Sequence, residues 1–234
     1  MSRLHGRAEM GATIGDLLPL AIGIAISPIP IIATILMLLS KQAGKTSTAF
    51  LIGWVAGIVV VTVVVLLLVG EAGDSDGGKP STLSSVLKLV FGAALVLLAL
   101  KQWRSRPKAG ETGEMPKWMG AIESFTFGKA LGLGFLLSGA NPKNLLMCLG
   151  AGTTIGAAHL STGEDIVVVA IFTVLAASTV AVPVIGFLVA RNRMEAPLTD
   201  LRGWLTQNNA AVMGVLLLVI GADLIGKGIT GLTA

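Results

Sequence analysis

Six apolar stretches alternate with short polar connections along the chain, at residues 16–39, 48–70, 84–101, 128–158, 166–190 and 209–229. Each contains few charged residues, and a helix of about 20 residues crosses the hydrocarbon core of a bilayer. Backbone polar groups in lipid must be hydrogen-bonded within such a segment, and the alternating pattern of barrel strands is missing. The pattern therefore predicts an all-α polytopic membrane protein, with six transmembrane helices in a single membrane domain over residues 1–234.

Composition agrees with this prediction and gives little support for an enzyme. Of 234 residues, 53% are hydrophobic and only 13% are charged, and the mean hydropathy is +0.84. Soluble domains usually carry about twice that charged fraction. The single cysteine, Cys148, excludes an intramolecular disulfide and a cysteine-based metal cluster. The sequence shows no nucleophile–base arrangement, phosphate-binding glycine loop or metal-ligand cluster, so we expect no catalytic activity, no cofactor and no metal.

Lys and Arg are distributed unevenly between the connections. The first, third and fifth connections carry ten of them, counting Lys101, whereas the second and fourth carry one. Positively charged connections stay on the cytoplasmic side. We therefore expect a plasma (inner) membrane protein whose basic loops, including the connection 102–124, are cytoplasmic and whose termini are both outside. Arg3 and Arg7 favour the opposite orientation. Because the charge follows the topology, the pI near 9.5 does not indicate nucleic-acid binding.

The fourth apolar stretch is interrupted by a polar break, Asn-Pro-Lys-Asn at residues 141–144. A similar break, Ser-Pro-Ile-Pro at residues 27–30, lies in the first stretch. The third and sixth stretches also match each other, at Leu89–Leu95 and Leu218–Leu224. Proline cannot continue the hydrogen-bond ladder of a helix, so we predict that helices 1 and 4 are broken at these motifs.

These matches predict two three-helix repeats, residues 16–101 and residues 125–229. Each repeat contains an odd number of spans, so the second is inserted in the inverted orientation. Inverted repeats are a transporter architecture whose substrate site lies where the broken helices meet, near the middle of the membrane.

The two breaks have the chemistry of helix starts. Ser27 and Asn141 are favoured N-cap residues, and Pro28 and Pro142 then occupy the favoured first helical position. The restarted helices are expected to present free N–H groups and the positive ends of their dipoles. Lys143 adds a charge that is costly at this depth unless it has a partner or a function. The breaks therefore predict a site for an anionic group such as phosphate, sulfate or carboxylate.

Asp223, in the sixth stretch, is the expected partner of Lys143, since its counterpart in the other repeat, Ala94, is neutral. A Lys143–Asp223 pair would be either a proton- or substrate-dependent switch or a structural pair, and the sequence favours neither. The candidate substrate-binding residues are those of the two breaks together with this acid: Ser27, Pro28, Pro30, Asn141, Pro142, Lys143, Asn144 and Asp223.

Four segments carry a resemblance to a known family: Ser-Pro-Ile-Pro-Ile-Ile at 27–32, Ala-Phe-Leu-Ile-Gly-Trp at 49–54, Pro-Lys-Trp-Met at 116–119 and Ala-Asn-Pro-Lys-Asn-Leu-Leu at 140–146. With these segments in this order, the chain resembles the actinobacterial peptidoglycolipid-addressing proteins, also called the sulfolipid-addressing (Sap) or GAP group, of the lysine exporter (LysE) superfamily. The resemblance implies a six-helix plasma-membrane protein that helps to move complex glycolipids toward the cell surface. It also implies that six of the candidate residues match the helix-break motifs of the family: Ser27, Pro28, Pro30, Asn141, Pro142 and Lys143.

Three functions follow as hypotheses. The first is a transporter or translocation factor for an anionic, lipid-linked glycoconjugate, whose headgroup meets the breaks and Lys143 while its acyl chains stay in lipid. The second is a small-solute exporter for amino acids or cations, with Asp223 as a coupling carboxylate. The third is a non-transporting accessory scaffold of a larger lipid-export machine. The expected partners are the membrane, the lipid substrate and either a second copy of the chain or that machinery, but no nucleic acid.

Overall fold

The computed structural model describes residues 2–73, 82–105 and 117–233, and all the regular elements in these ranges are helices. The seven α-helices are α1 (Ser2–Ala25), α2 (Pro28–Leu38), α3 (Ala43–Gly73), α4 (Thr82–Arg104), α5 (Phe127–Gly139), α6 (Pro142–Gly156) and α7 (Thr162–Thr233). A 3₁₀ helix over Lys117–Ser124 precedes α5. The all-α fold class is confirmed.

The α7 helix consists of two arms joined at a kink. Ala190 has φ −141° and ψ 52°, which lie outside the helical region. We call Thr162–Arg191 the first arm and Arg193–Thr233 the second arm. The two arms correspond to the fifth and sixth apolar stretches. The sequence predicts that residues 191–208 are a connection between those stretches. They are instead mostly helical and form the beginning of the second arm. Leu198 and Leu205, two turns apart on one face, are buried there and hold this extension against the protein.

Five helical segments are long and apolar enough to cross a membrane: Ala8–Ala25, Ala43–Gly70, Thr82–Arg104 and the two arms of α7. Two shorter apolar helices accompany them, α2 and α5. Several such helices in one chain define a multi-pass membrane protein.

Both predicted breaks are present. The first apolar stretch divides between Ala25 and Pro28, and the fourth divides between Gly139 and Pro142. Ser27 (φ −85°, ψ 106°) and Asn141 (φ −66°, ψ 122°) have the extended backbone that an N-cap requires. Each is followed by a proline as the first residue of the new helix, as the sequence predicts.

Glycines allow the helices on each side of the breaks to approach closely. A Cβ atom added to Gly53 of α3 would lie 2.0 Å from Leu131 O of α5, and one added to Gly134 would lie 2.2 Å from Phe50 O. A Cβ atom added to Gly152 of α6 would likewise lie 2.6 Å from Thr62 O of α3. These contacts pack both halves of the second broken helix along α3.

A second seam joins α4 to the second arm of α7. Gly92 and Gly221 face each other there, and a Cβ atom on either would lie 2.8 Å from the carbonyl oxygen of the other. Gly214 lies beside Trp103, near the end of α4. The two helices therefore run antiparallel along their length. The acidic part of the connection between α3 and α4 (residues 74–81) and most of the basic connection before the 3₁₀ helix (residues 106–116) lie outside the described residues.

Candidate functional site

The broken end of α1 has all four of its last carbonyl groups hydrogen-bonded. The donors are Ile26 N–H to Ile22 O (2.8 Å), Lys143 Nζ to Gly23 O (2.6 Å), Ser27 Oγ to Ile24 O (2.6 Å) and Thr179 Oγ1 to Ala25 O. The last four carbonyls of a helix have no partner within it, and leaving them unpaired away from water is costly. The break is therefore stabilised by side chains from α6 and from the first arm of α7.

Lys143 is the most unusual of these donors. Its side chain is buried, with 7% of the residue exposed, and its ammonium group donates to Gly23 O and to Ser27 Oγ. It lies at the C-terminal end of α1, where the helix dipole is negative and favours a cation. An ammonium group has three N–H donors, and these two hydrogen bonds leave the third available.

Ser27 and Asn144 complete a link between the two breaks. Ser27 Oγ lies 3.1 Å from Asn144 Oδ1, and both residues are buried. Asn144 Nδ2 donates to Leu137 O (2.8 Å), close to the broken end of α5. A residue of α6 therefore caps the end of each preceding half-helix: Lys143 caps α1 and Asn144 caps α5. We call Ser27, Lys143 and Asn144 the break junction.

Each restarted helix presents one free N–H group in its first turn. Pro28 and Pro30 have no N–H, and Ile31 N–H donates to Ser27 O (3.3 Å). In the first turn of α2, therefore, the N–H of Ile29 is the group left without a partner among the described residues. In α6, Lys143 N–H donates to Asn141 Oδ1 (3.1 Å) and Leu145 N–H to Asn141 O (2.8 Å). In the first turn of α6, therefore, the N–H of Asn144 is the group left without a partner among the described residues. The prolines that start these helices also remove most of the donors.

A half-enclosed cavity of about 200 Å³ extends from the break junction to the end of α4. Seven of the eight candidate residues line it: Ser27, Pro28, Pro30, Asn141, Pro142, Lys143 and Asn144. The structure therefore brings together the two breaks, which lie more than 100 residues apart in the sequence. The rest of the lining comes from α2, α4 and the second arm of α7: Ile29, Leu98, Lys101, Gln102, Asn209, Met213 and Leu217.

The lining combines positive charge with neutral amides. It contains Lys143 at the inner end and Lys101 near the end of α4, and among the described lining residues there is no carboxylate. Three asparagines and one glutamine supply amide groups. Such a surface favours an anionic group over a cation, because the buried Lys143 attracts negative charge strongly and the exposed Lys101 adds a weaker attraction.

The cavity ends at the break junction. A Cβ atom on Gly23, just beyond the junction, would lie 2.3 Å from Ile220 Cδ1 and 2.8 Å from Met147 Sδ. Ile220 and Met147 are buried, as is Leu20 one turn before Gly23. Helices α1, α6 and α7 therefore close the far end with apolar side chains.

Asp223 lies outside this cavity, and the expected Lys143–Asp223 pair does not form. Asp223 Oδ2 lies 3.1 Å from Lys227 Nζ, and the same ammonium lies 3.0 Å from Asp16 Oδ1. Lys88 of α4 is close enough to interact electrostatically with all three. The reason is geometric: Asp223 and Lys227 are four residues apart on one helix face, which brings their side chains together locally.

Sequence reasoning missed the lining contributed by the third and sixth stretches. Asn209, Met213 and Leu217 are each one turn apart and therefore lie on one face of the second arm. That spacing, with one amide among apolar residues, is the signal that could have identified the face. Lys101 and Gln102 gave no comparable signal, since a basic residue at the end of a span is also explained by topology.

These features define the class of protein: a multi-pass helical membrane protein in which two interrupted helices meet at a half-enclosed, positively charged cavity. A family model described as Sap, sulfolipid-1-addressing protein, matches residues 17–230, and the chain belongs to this family. The resemblance to the sulfolipid-addressing (Sap) group is thereby confirmed. No curated protein and no solved structure matches the chain. Family membership indicates a role in lipid export or addressing.

Proposed function

We propose that this protein is a membrane transporter or translocation factor that moves an anionic glycolipid, or a lipid-linked glycoconjugate, toward the cell surface. The observation that carries the proposal is the cavity at the break junction, which has a buried lysine at its inner end and a second lysine near the end of α4. Membership of a lipid-addressing family supports a lipid rather than a water-soluble solute as the source of the anionic group.

The size of the cavity matches a headgroup and not a whole lipid. Its volume of about 200 Å³ is below the roughly 300–1,000 Å³ of pockets that enclose a drug-sized ligand. The third N–H of Lys143 and the backbone N–H groups of Ile29 and Asn144 would bind the anionic group. The acyl chains would remain in the bilayer, so the headgroup must enter through an opening between helices.

The proposed architecture has six spans in two inverted repeats, with α1–α2 as the first span and α5–α6 as the fourth. The packing supports it: α3 packs against both halves of the fourth span, and α7 packs against both halves of the first. Thr179, which donates to the broken end of α1, belongs to the first arm of α7, the counterpart of α3. We also propose that the protein lies in the plasma membrane, with its basic loops in the cytoplasm and both termini outside, and that it is related to the lysine exporter superfamily. So does association with a second copy or with lipid-export machinery.

The proposal is tested with purified protein in liposomes. The probe is a short-chain, fluorescently labelled galactosylceramide sulfate placed in one leaflet, and the matched control is the neutral galactosylceramide with the same chains. Equilibration between the leaflets is downhill, so the assay needs no energy source. We expect the protein to accelerate movement of the sulfated lipid at least about tenfold more than that of the neutral lipid, because only the sulfated headgroup is attracted by Lys143. A tenfold ratio of rates corresponds to about 1.4 kcal/mol of activation free energy. Equal rates with and without protein would contradict a transporter and favour an accessory scaffold.

Asp223 distinguishes lipid translocation from small-solute export. If Asp223 belongs to a charge cluster outside the substrate cavity, then Asp223→Asn should leave the rate of sulfated-lipid movement within about twofold of wild type. Lys227 keeps its contact with Asp16, and these side chains are 26–50% exposed, so we expect a loss of stability below about 1 kcal/mol. The measurements are the liposome assay and the midpoint of thermal unfolding. A coupling carboxylate of an exporter would instead be indispensable, and its neutralisation would stop movement.

A further inference from the structure

Asn209 is a polar residue of the cavity whose hydrogen-bonding capacity the fold does not use. It lies on the second arm of α7 and lines the cavity. Its Oδ1 atom is buried and has no hydrogen-bond partner within the described part of the chain. The neighbouring Asn208 differs, because its Nδ2 donates to Trp204 O (2.9 Å) and it does not line the cavity.

Packing does not explain the unpaired Oδ1 atom of Asn209. Leaving a buried acceptor without a donor costs about 1–3 kcal/mol. The next two residues on the same helix face, Met213 and Leu217, are apolar and also line the cavity. A leucine at position 209 would continue that face without the cost. A buried acceptor that no protein donor reaches and that faces a cavity is available to a water or a ligand there.

The position of Asn209 places it at the end of the cavity opposite the break junction. Gly214 lies beside Trp103, and Gly221 lies beside Gly92, so residues earlier in the second arm lie nearer to the end of α4. Asn209 is eight residues from Leu217, about 12 Å along the helix. The Gln102 amide and the Lys101 ammonium contribute to the lining near this end. The cavity thus has two polar regions: the break junction at one end and the amides of Gln102 and Asn209 toward the other.

We propose that Asn209 is a specificity-determining residue that binds a hydroxyl group of the lipid headgroup while the anionic group lies toward Lys143. A hydroxyl is both a donor and an acceptor, so it can pair with either end of the amide. A headgroup with only an anionic group leaves Asn209 unpaired, which penalises that lipid. The hydroxyl group is one of those that the headgroup of the proposed anionic glycolipid carries. This inference rests on the proposed function.

The test compares two lipids of equal charge in the liposome assay, phosphatidylinositol and phosphatidylmethanol with the same labelled acyl chains. Both are phosphodiesters, and only the first carries headgroup hydroxyls. One hydrogen bond of about 0.5–1.5 kcal/mol predicts that the wild-type protein moves phosphatidylinositol about two- to tenfold faster. Asn209→Leu should reduce that ratio to about one, and Asn208→Leu should leave the ratio unchanged.

The melting temperature of the same variant is an independent test. If Asn209 is kept for binding, then Asn209→Leu removes an unpaired buried group and should leave the melting temperature unchanged or raise it. A lowered melting temperature would assign Asn209 a structural role and overturn the inference.

The outcomes separate this inference from the proposed function. If both phospholipids move at the same accelerated rate, or if Asn209→Leu keeps the preference for phosphatidylinositol, the role of Asn209 is wrong while translocation of anionic lipids stands. If neither phospholipid nor the galactosylceramide sulfate moves faster with protein than without, both proposals are overturned.

Discussion

Replacing Lys143 with methionine is expected to reduce movement of the sulfated lipid to the protein-free rate. The substitution removes the buried positive charge from the inner end of the cavity and leaves a side chain of similar length. It also removes the donor to Gly23 O at the broken end of α1. An unpaired carbonyl at this position costs about 1–3 kcal/mol, so the melting temperature should fall by several degrees while folded protein still accumulates in the membrane.

Thr179→Val separates the two roles of Lys143, which are to supply positive charge to the cavity and to cap the broken end of α1. Thr179 donates to Ala25 O, two residues from the carbonyl that Lys143 caps, but it does not line the cavity. Valine has nearly the same shape and cannot donate, so we expect a similar loss of stability with the lipid still moving. If Thr179→Val and Lys143→Met reduce movement equally, then Lys143 acts through the structure of the break and not through its charge. The measurements are the liposome assay and thermal unfolding of each variant.

Gly53→Ala should destabilise the protein by forcing α3 and α5 apart. The new Cβ would lie 2.0 Å from Leu131 O and 3.0 Å from Phe135 N, both of which are backbone atoms of α5. Backbone cannot move aside as a side chain does, so the two helices must separate. Overpacking of this kind costs at least about 1–3 kcal/mol. We expect a lower melting temperature and less folded protein recovered from the membrane.

Gly132→Ala, on α5 itself, is the matched control with the opposite expected sign. A Cβ atom added to Gly132 has no described atom within 4 Å. Alanine is favoured over glycine within a helix by about 1 kcal/mol, so this variant should be as stable as wild type or slightly more stable. If Gly53→Ala and Gly132→Ala give the same melting temperature, the close approach of α3 and α5 is wrong.

The breaks are the part of the fold that could be predicted best. Proline lacks an N–H and fits the first position of a helix, so an N-cap residue followed by proline, as in Ser27-Pro28 and Asn141-Pro142, starts a new helix. Pro183 has no such residue before it and lies inside α7. The preceding Ser27 and Asn141 take the extended conformation for the same local reason. The apolar stretches were equally accessible, because composition over about 20 residues determines whether a helix can lie in lipid. The division into repeats 16–101 and 125–229 stays a prediction.

Contacts between distant residues could not be predicted in the same way. The sequence indicated that Lys143 needs a partner and offered Asp223 as the only acid deep in a stretch, but α1 supplies a backbone carbonyl instead. Carbonyl groups at a broken helix end are present in every sequence and leave no pattern of residue types. Asp223 meanwhile pairs with Lys227, a local contact that the four-residue spacing could have indicated.

The sequence by itself determined that this chain forms apolar helices for a membrane, interrupts two of them with proline, and places a lysine at one interruption. These properties depend on neighbouring residues and on composition, so they can be derived before the fold is known. Only the tertiary structure decided that the two interruptions meet, that Lys143 caps α1, and that Asn209 faces the same cavity. Those facts depend on how the helices pack, and helix packing is set by close contacts such as Gly53 with Leu131.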